Sequence, residues 1–457
     1  MLVPRRDSVS LETDLVCTAA FVPERFATFA AHLDTAWINE ALESTGTVTL
    51  RRRRLPMDQL VWLVIGMGLM RDQPIAELVD RLDLALPDKA GGRSVVPSAV
   101  AQGRARLGAA PLEWLFLRSA LAWAEPGADR HRWRGLGLYA VDGTTLRIAD
   151  SDENRRHFGG QSAGTRGRGE SGYPMLRLAA RMALRSHLLV AASFGPYAVD
   201  ERRYAEDLWD WVPDDSLVLL DRNYLQANVM VRIAHEARNR HWLMRAKANS
   251  VWKVLARLGP GDALVEMKVS SVARQQDPSL PKTLQVRAIR YQRKGYRPQT
   301  LLTSLLNPHF PAAELRELSH ERWEIELGYD ELKTEMLRRE EAIRSRTIEG
   351  VRQEVYGILI AYNLVRLEMV RVADLHHVPP VRVSFVATLR LVTDQWEWAA
   401  MTRTPGAIPR RLDAMERKLA RFILPPRRPG RVNPRAVKVK MSNYALKRPT
   451  RSPRRAR

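Results

Sequence analysis

The chain has 457 residues, of which 45% are hydrophobic and 27% charged, so it can build several folded domains and is not a disordered or fibrous chain. Lysine and arginine number 73 against 51 aspartates and glutamates, and the net charge of +22 favours a polyanionic partner, either nucleic acid or an anionic membrane surface. The single cysteine, Cys17, excludes an internal disulfide framework. The longest apolar stretch, residues 60–70, is too short to span a bilayer. These features predict a cytoplasmic protein that binds nucleic acid and does not enter a membrane.

Residues 1–128 are predicted to form a helical DNA-binding domain. Four apolar runs here open with a proline, which is preset for the first turn of a helix: Pro56, Pro74, Pro97 and Pro111. Short helices joined by polar turns are consistent with a helix-turn-helix arrangement. The third run carries Arg104 and Arg106, which either contact DNA or form a solvated basic face.

The pattern changes to that of an α/β layer over residues 129–246. Strand-like runs cover residues 137–142, 176–184 and 187–195, and helices are expected at 200–212 and 226–238. The run SLVLLD at 216–221 is almost continuously apolar, as in a strand that is buried on both faces of a sheet. Strands that alternate with helices predict a central sheet with flanking helices.

Residues 247–300 interrupt this rhythm and predict a β-rich insertion. The segments 262–270 and 283–291 alternate between apolar and polar residues, as strands do. The run LLTSLL at 301–306 returns to a core strand and opens the second part of the core, residues 301–373. Long helices are expected at 311–344, 347–373 and 382–400. The C-terminal region, 374–457, ends in a basic tail without acidic residues from Pro425 onward, which predicts contact with phosphate.

Two aspartates follow apolar strands. Asp142 comes at the expected end of the strand that begins near residue 137, and Asp221 comes directly after SLVLL. Functional groups collect at strand ends in open α/β sheets, so both are candidate catalytic residues. Each aspartate alone is equally consistent with the cap of a turn or a helix.

A glutamate on a later helix adds a third carboxylate. At about 100° per residue, one helical stripe is shared by four polar residues: Arg322, Glu326, Tyr329 and Lys333. The adjacent apolar stripe, which would pack on the sheet, consists of Leu318, Ile325, Leu332 and Met336. The polar stripe alone is also consistent with an ordinary ladder of ion pairs on a solvated face.

The combination of three carboxylates favours a metal-dependent phosphoryl-transfer site. Asp142, Asp221 and Glu326 could converge on two Mg²⁺ ions, because hard divalent cations prefer oxygen ligands. Two ions about 3.5–4 Å apart can stabilise the attacking and leaving oxygens of an in-line displacement. The cations Arg322 and Lys333 would then hold DNA phosphates, Arg322 in a bidentate manner.

These residues resemble the bacterial DDE transposases of the insertion sequence 4 family, whose signature is Tyr-x2-Arg-x3-Glu-x6-Lys. Arg322, Glu326 and Lys333 match its last three positions, and Ser319 stands in place of the tyrosine. The segments AVDGTTLRIAD and LLDRNY resemble the two aspartate motifs of the family. The resemblance extends to RRRRLPMDQLVWLVIGMGL near the N-terminus and PRAVKVKMSNYALKR near the C-terminus, and so covers most of the chain.

The resemblance implies an RNase H-like mixed sheet with flanking helices, interrupted by the β-rich insertion. It implies a transposase that cuts double-stranded DNA at the element ends with Mg²⁺, or Mn²⁺ as a substitute, and joins the 3′ ends to target DNA. It also implies a dimer on paired ends, and a basic chain of this kind is expected at the nucleoid. Two alternatives remain at this point: a metal-dependent nuclease without strand transfer, and a basic DNA-binding protein whose carboxylates are structural.

Family members can form a DNA hairpin with a flipped base on an aromatic residue, and Trp242, Trp252 and Tyr296 are candidates for that platform. The alternative for each of these three residues is an ordinary position in the hydrophobic core. Arg245 and Lys247 alternate on a predicted strand and could hold backbone phosphates.

Overall fold

A mixed sheet forms the centre of the fold in the computed structural model, which describes residues 33–48, 54–87, 95–160, 172–293, 297–338, 342–401 and 408–426. In chain order its strands are β1 Gly137–Arg147, β2 Met175–Ala183, β3 Leu189–Pro196, β4 Ser216–Leu220, β5 Arg240–Arg245, β6 Lys253–Gly259, β7 Asp262–Lys268, β8 Thr283–Tyr291 and β9 Gln299–Thr303. Across the sheet they follow the order β3-β2-β1-β4-β5-β9-β8-β7-β6.

The first five strands have the RNase H-like arrangement. Strands β1, β2 and β3 are antiparallel neighbours, whereas β4 pairs parallel to β1 and β5 pairs parallel to β4. All five residues of β4 are buried, as its continuous apolar run predicted. The predicted fold class is therefore confirmed.

The β-rich segment continues the same sheet. Strand β9 pairs with β5 on one side and with β8 on the other, and β7 and β6 follow as an antiparallel extension. The segment predicted as an insertion thus adds strands at the β5 side of the core.

Five helices precede the sheet in the chain, four lie between its strands and five follow it among the described residues. In order they are α1 Thr35–Ser44, α2 Met57–Leu69, α3 Ile75–Arg81, α4 Pro97–Leu107, α5 Ala110–Arg130, α6 Asp152–Phe158, α7 Glu201–Glu206, α8 Ala227–Ile233, α9 Ser271–Gln276, α10 Ala312–Glu321, α11 Trp323–Asp330, α12 Ile348–Leu375, α13 Phe385–Met401 and α14 Ile408–Leu419. None of those within the described ranges combines the length and apolar character needed to cross a membrane.

Helix α2 is buried almost all round and crosses helix α12 at short range. A Cβ on Gly357 of α12 would lie 2.6 Å from Cγ1 of Val64 and 2.8 Å from the Val64 carbonyl oxygen, so the crossing requires glycine. Helices α2 and α12 therefore pack into one hydrophobic core.

Three predicted elements differ in the structure. Strand β1 does not end near Asp142 but runs to Arg147, because β2 pairs with it residue by residue along that stretch. The helix predicted at 200–212 ends at Glu206, and Leu208 and Trp209 pack into a core cluster beyond it. The helix predicted at 226–238 ends at Ile233, where the backbone becomes extended at Ala234.

The prediction of one long helix at 311–344 is also wrong in its extent. It consists of α10, α11 and a π-helical turn at Glu331–Met336, after which Arg338 has a left-handed φ of 48°. A left-handed residue cannot continue a right-handed helix, so the segment stops there. Beyond residue 426, the tail predicted to contact phosphate lies outside the described residues. Tyr296 also lies outside them, between residues 293 and 297.

Candidate active site

The two aspartates of the sheet are neighbours on adjacent parallel strands. Val141 pairs with Leu220, so Asp142 and Asp221 come next along β1 and β4, whose backbones are about 4.8 Å apart. The Asp142 side chain is 18% exposed, and the Gly143 N–H donates to its Oδ1 at 2.9 Å. Burial raises the pKa of Asp142 to about 6 despite that hydrogen bond and the nearby Arg322.

An arginine links Glu326 of helix α11 to Asp142 of the sheet. Arg322 donates from Nη2 to Glu326 Oε1 at 2.7 Å and from Nη1 to Asp142 Oδ2 at 3.3 Å. One guanidinium thus bridges a carboxylate of the helix and a carboxylate of the sheet.

The other members of the polar stripe also face strand β1. The Tyr329 hydroxyl donates to the Asp142 carbonyl oxygen at 2.7 Å, and Lys333 Nζ donates to Thr144 Oγ1 at 3.3 Å. Burial lowers the pKa of Lys333, whereas Asp330 opposes that shift. The neighbouring apolar stripe is buried as expected at Leu318, Ile325, Leu332 and Met336.

A fourth carboxylate that sequence reasoning missed lies beside the aspartates. Glu201 begins helix α7 and presses against Gly143, where a Cβ would lie 2.4 Å from Glu201 Oε2. Burial raises the pKa of Glu201, Arg177 lowers it, and the negative charges of Asp200 and Asp221 raise it further. In sequence, Glu201 has only the signature of an acidic residue in the first turn of a helix, which is a common position without catalytic meaning.

The donor chemistry fits hard divalent cations. Within the described ranges, no three His, Cys, Asp or Glu side chains are grouped closely enough to enclose a metal ion. Asp142, Asp221 and Glu326 nevertheless offer only carboxylate oxygens, the ligand type such cations prefer. Two of these carboxylates already share the positive charge of Arg322.

The two arginines predicted on the third N-terminal helix have different environments. Arg104 donates to Gln353 Oε1 at 2.8 Å and to Ser345 Oγ at 2.9 Å, which ties helix α4 to the segment around α12. Burial lowers the pKa of Arg104, and the nearby Glu354 opposes that shift. Arg106 is exposed.

Arg245 and Lys247, which were predicted to share one strand, do not both lie on it. Arg245 is exposed at the end of β5, whereas Lys247 follows that end and donates from Nζ to the Leu225 carbonyl oxygen at 3.2 Å. The predicted alternation on one strand is therefore wrong, because pairing of β5 stops at Arg245.

The structure also describes two of the candidate platform tryptophans and the serine at the signature tyrosine position. Trp242 is 1% exposed and donates from Nε1 to the Met230 carbonyl oxygen at 3.1 Å, which makes it a core residue; Trp252 is partly buried. Ser319, at the position of the signature tyrosine, donates to the Arg316 carbonyl oxygen of its own helix at 2.7 Å.

Comparison with known proteins agrees with the geometry. Residues 23–117 match the family model "Insertion element 4 transposase N-terminal", and residues 133–364 match "Transposase DDE domain". The chain is 36% identical over 437 residues to the transposase InsG for insertion sequence element IS4 of Escherichia coli (strain K12), covering 94% of this chain and 96% of that protein. A solved structure of the piggyBac transposase synaptic complex with hairpin DNA is a distant likeness, with a TM-score of 0.42 and 10% identity over 91% of this chain and 88% of that one.

Proposed function

Because the chain belongs to the insertion sequence 4 family of DDE transposases, we propose that it binds the ends of an insertion sequence, cleaves the DNA there and joins the 3′ ends to target DNA. The observation that carries this proposal is the placement of three carboxylates: Asp142 and Asp221 follow paired positions of adjacent parallel strands, and Arg322 links Glu326 of the helix to Asp142. Carboxylates on two strands and a later helix are suited to phosphoryl transfer on DNA.

We propose Mg²⁺ as the cofactor, with two ions per site and Mn²⁺ as a substitute, held by Asp142, Asp221 and Glu326. When bound, such ions activate the attacking water or hydroxyl and stabilise the leaving oxygen. The chain itself supplies placement. The register of β1 and β4 aligns the aspartates, and the Tyr329 hydroxyl ties helix α11 to the backbone of Asp142.

The proposed DNA contacts surround these carboxylates. Arg322 and Lys333 flank Glu326 on one side of the helix, and an arginine can hold a phosphate by two parallel hydrogen bonds. Tyr329 supports this group from a buried position, where its hydroxyl donates to the Asp142 carbonyl oxygen. More distant phosphate contacts are proposed at exposed Arg245 and at Lys247.

In the N-terminal helices, the proposed DNA contact falls on Arg106. Arg104 supports it by fixing helix α4 through Gln353 and Ser345. Double-stranded DNA of both the element ends and the target is the partner that a +22 chain attracts.

We also propose that two subunits pair the two ends and that the protein acts at the nucleoid in the cytoplasm. The domain boundaries after residues 128, 246, 300 and 373 belong to the same proposal. The boundary after residue 128 is supported by the family models, because the N-terminal model ends at residue 117 and the DDE-domain model begins at residue 133.

A cleavage assay tests the proposed function. The purified full chain is incubated with Mg²⁺ and linear DNA that carries the element's own inverted repeat, beside a scrambled repeat and a target plasmid. The comparison variants are Glu326→Gln and Glu335→Gln, which changes an exposed glutamate of the π-helical turn Glu331–Met336. We expect cleavage at the repeat boundary and joined products with the chain and with Glu335→Gln, and neither with Glu326→Gln.

The products separate the alternatives. Cleavage without joining would assign a nuclease, and sequence-independent cutting would refute end recognition. Binding without cleavage that is insensitive to Glu326→Gln would assign a DNA-binding protein with structural carboxylates. End-DNA affinity that falls steeply with Glu326→Gln would also contradict a catalytic role for that residue.

A further inference from the structure

A buried ionic network lies on the side of helix α11 that faces away from Asp142. Glu324 and Glu331 are seven residues apart and therefore share one face, whereas Glu326 is rotated from Glu324 by about 200°. His187 Nε2 lies 3.0 Å from Glu324 Oε2, and the Tyr362 hydroxyl donates to Glu331 Oε2 at 3.0 Å. These contacts hold the helix two residues before and five residues after Glu326.

Arg366 on helix α12 is the centre of this network. Its Nη2 contacts both Glu331 Oε2 and His187 Nδ1, and its Nε donates to the Tyr362 hydroxyl at 3.2 Å. The Arg366 side chain is 1% exposed. Burial alone would raise the pKa of Glu331, but Arg366 and His187 lower it, which is consistent with a carboxylate held in its charged form.

The network joins three separate elements. His187 lies in the turn between β2 and β3 with a left-handed φ of 60°, a conformation that a non-glycine residue keeps only when its surroundings enforce it. Glu331 begins the π-helical turn that carries Lys333 to Thr144. Such wide turns cluster at functional sites because they re-aim the side chains that follow.

The fit between these elements leaves little freedom to rotate helix α11. A Cβ on Gly328 would lie 2.3 Å from Cε of Met182 on β2 and 3.1 Å from the Tyr362 hydroxyl. The helix is thus packed against the sheet and α12 between its two ionic contacts. On the opposite side, Arg322 and Tyr329 bind Asp142.

We propose that Arg366 is a positioning residue for Glu326: with His187 it binds Glu324 and Glu331 and fixes the rotation of helix α11 so that Glu326 faces Asp142. The proposal rests on the proposed function of Glu326 as a metal-binding carboxylate. It assigns a role in transposition to a buried arginine that contacts neither DNA nor the carboxylates at the site.

The test uses the full chain and compares Arg366→Gln with Arg352→Gln, a matched change on the same helix, where Arg352 forms an exposed ion pair with Glu113. Three quantities are measured: single-turnover cleavage of end DNA, the dissociation constant for end DNA, and Mn²⁺ binding to the protein by electron paramagnetic resonance. For Arg366→Gln we expect cleavage to slow by roughly ten- to a hundredfold, as a misplacement near 1 Å can cause. We expect weaker Mn²⁺ binding and an end-DNA affinity within about twofold of the unmodified chain. A rotation would shift Arg322 and Lys333, but Arg106, Arg245, Lys247 and most of the surplus positive charge lie outside this helix.

A second variant keeps the proposal falsifiable if Arg366→Gln fails to fold. Glu331→Gln preserves the shape of the side chain and removes its charge, with exposed Glu335→Gln as its control. The same pattern, in smaller degree, is expected for Glu331→Gln.

Several outcomes would overturn the positioning role. Unchanged cleavage and Mn²⁺ binding in folded Arg366→Gln, or in Glu331→Gln, would do so, as would equal losses of cleavage and DNA affinity. If the unmodified chain itself neither cleaves end DNA nor binds Mn²⁺, the proposed function fails first, and the two failures are thereby distinguished.

Discussion

Replacement of Glu354 should reveal how strongly the N-terminal helices depend on helix α12. The Glu354 carboxylate is fully buried and binds Arg71 Nη1 at 2.5 Å, and it accepts hydrogen bonds from the Ser345 hydroxyl at 2.6 Å and the Arg344 N–H at 3.0 Å. Arg71 in turn donates to the Ala342 carbonyl oxygen at 2.7 Å. One carboxylate thus joins the loop after α2, the segment before α12 and α12 itself.

The expected cost of Glu354→Ala follows from the charge it leaves behind. Arg71 is 1% exposed, and removal of one partner of a buried ion pair destabilises a protein by about 3–5 kcal/mol. Glu397→Ala is the matched control, because Glu397 pairs with Arg81 at 2.7 Å with both side chains partly exposed. An exposed pair of this kind contributes at most about 1 kcal/mol.

Urea unfolding followed by tryptophan fluorescence measures both variants at pH 7. A loss of about 3 kcal/mol raises the unfolding constant more than a hundredfold, since about 1.4 kcal/mol corresponds to tenfold. Burial would raise the pKa of Glu354, but Arg71 and the hydrogen bonds lower it below 4.5. Its contribution is therefore present above pH 4.5, and the difference between Glu354→Ala and the unmodified chain should shrink as the pH falls below that value. Equal losses for Glu354→Ala and Glu397→Ala would refute the reasoning.

The other predictions concern the candidate site and its DNA. Asp142→Asn should stabilise the protein in EDTA at pH 7 by up to about 3 kcal/mol in urea unfolding, because the pKa of Asp142 is raised from 3.8 to about 6 and its buried charge therefore costs stability. That gain should be full above pH 6 and absent below about pH 3.8; a gain that grows on acidification would contradict the burial argument. Gly328→Ala should cost about 1–3 kcal/mol through its contact with Met182 and slow single-turnover cleavage; an unchanged rate would show that the helix tolerates the added methyl group. Ser319→Tyr should raise end-DNA affinity about two- to tenfold in a filter-binding assay, because a tyrosine hydroxyl reaches beyond the helix whereas the Ser319 hydroxyl donates to the Arg316 carbonyl oxygen of its own helix; an unchanged affinity would show that position 319 makes no DNA contact. The logarithm of the DNA-binding constant should fall with the logarithm of salt concentration by about 0.9 per phosphate contact, whereas a flat dependence would contradict binding through surplus charge.

The sequence allowed the sheet and the three carboxylates to be predicted because each had a local signal. SLVLL is apolar throughout, and the spacing from Arg322 to Lys333 places those residues on one side of a helix. The end of β1 could not be read in this way, because only its pairing with β2 carries the strand past Asp142 to Arg147. Local polarity alone had indicated a turn at that point.

The supporting residues had no such signal. Glu201 meets Gly143, and Arg366 meets His187 and Glu331, only after the sheet and α12 have assembled. Contacts between residues so distant along the chain leave no periodicity in it. The helix stop at Arg338 likewise depends on a left-handed backbone that no glycine or proline announces.

The burial of α2 against α12 has a consequence for how the chain is made. Nearly three hundred residues separate the two helices, so during synthesis the apolar surface of α2 leaves the ribosome long before its partner exists. Contacts between such distant segments slow folding and expose apolar surface to aggregation. Both aspartates are likewise made before Glu326. The third carboxylate is therefore synthesised only shortly before helix α12, on which α2 packs. The candidate active site and the core that holds the N-terminal helices are thus completed at nearly the same stage of synthesis.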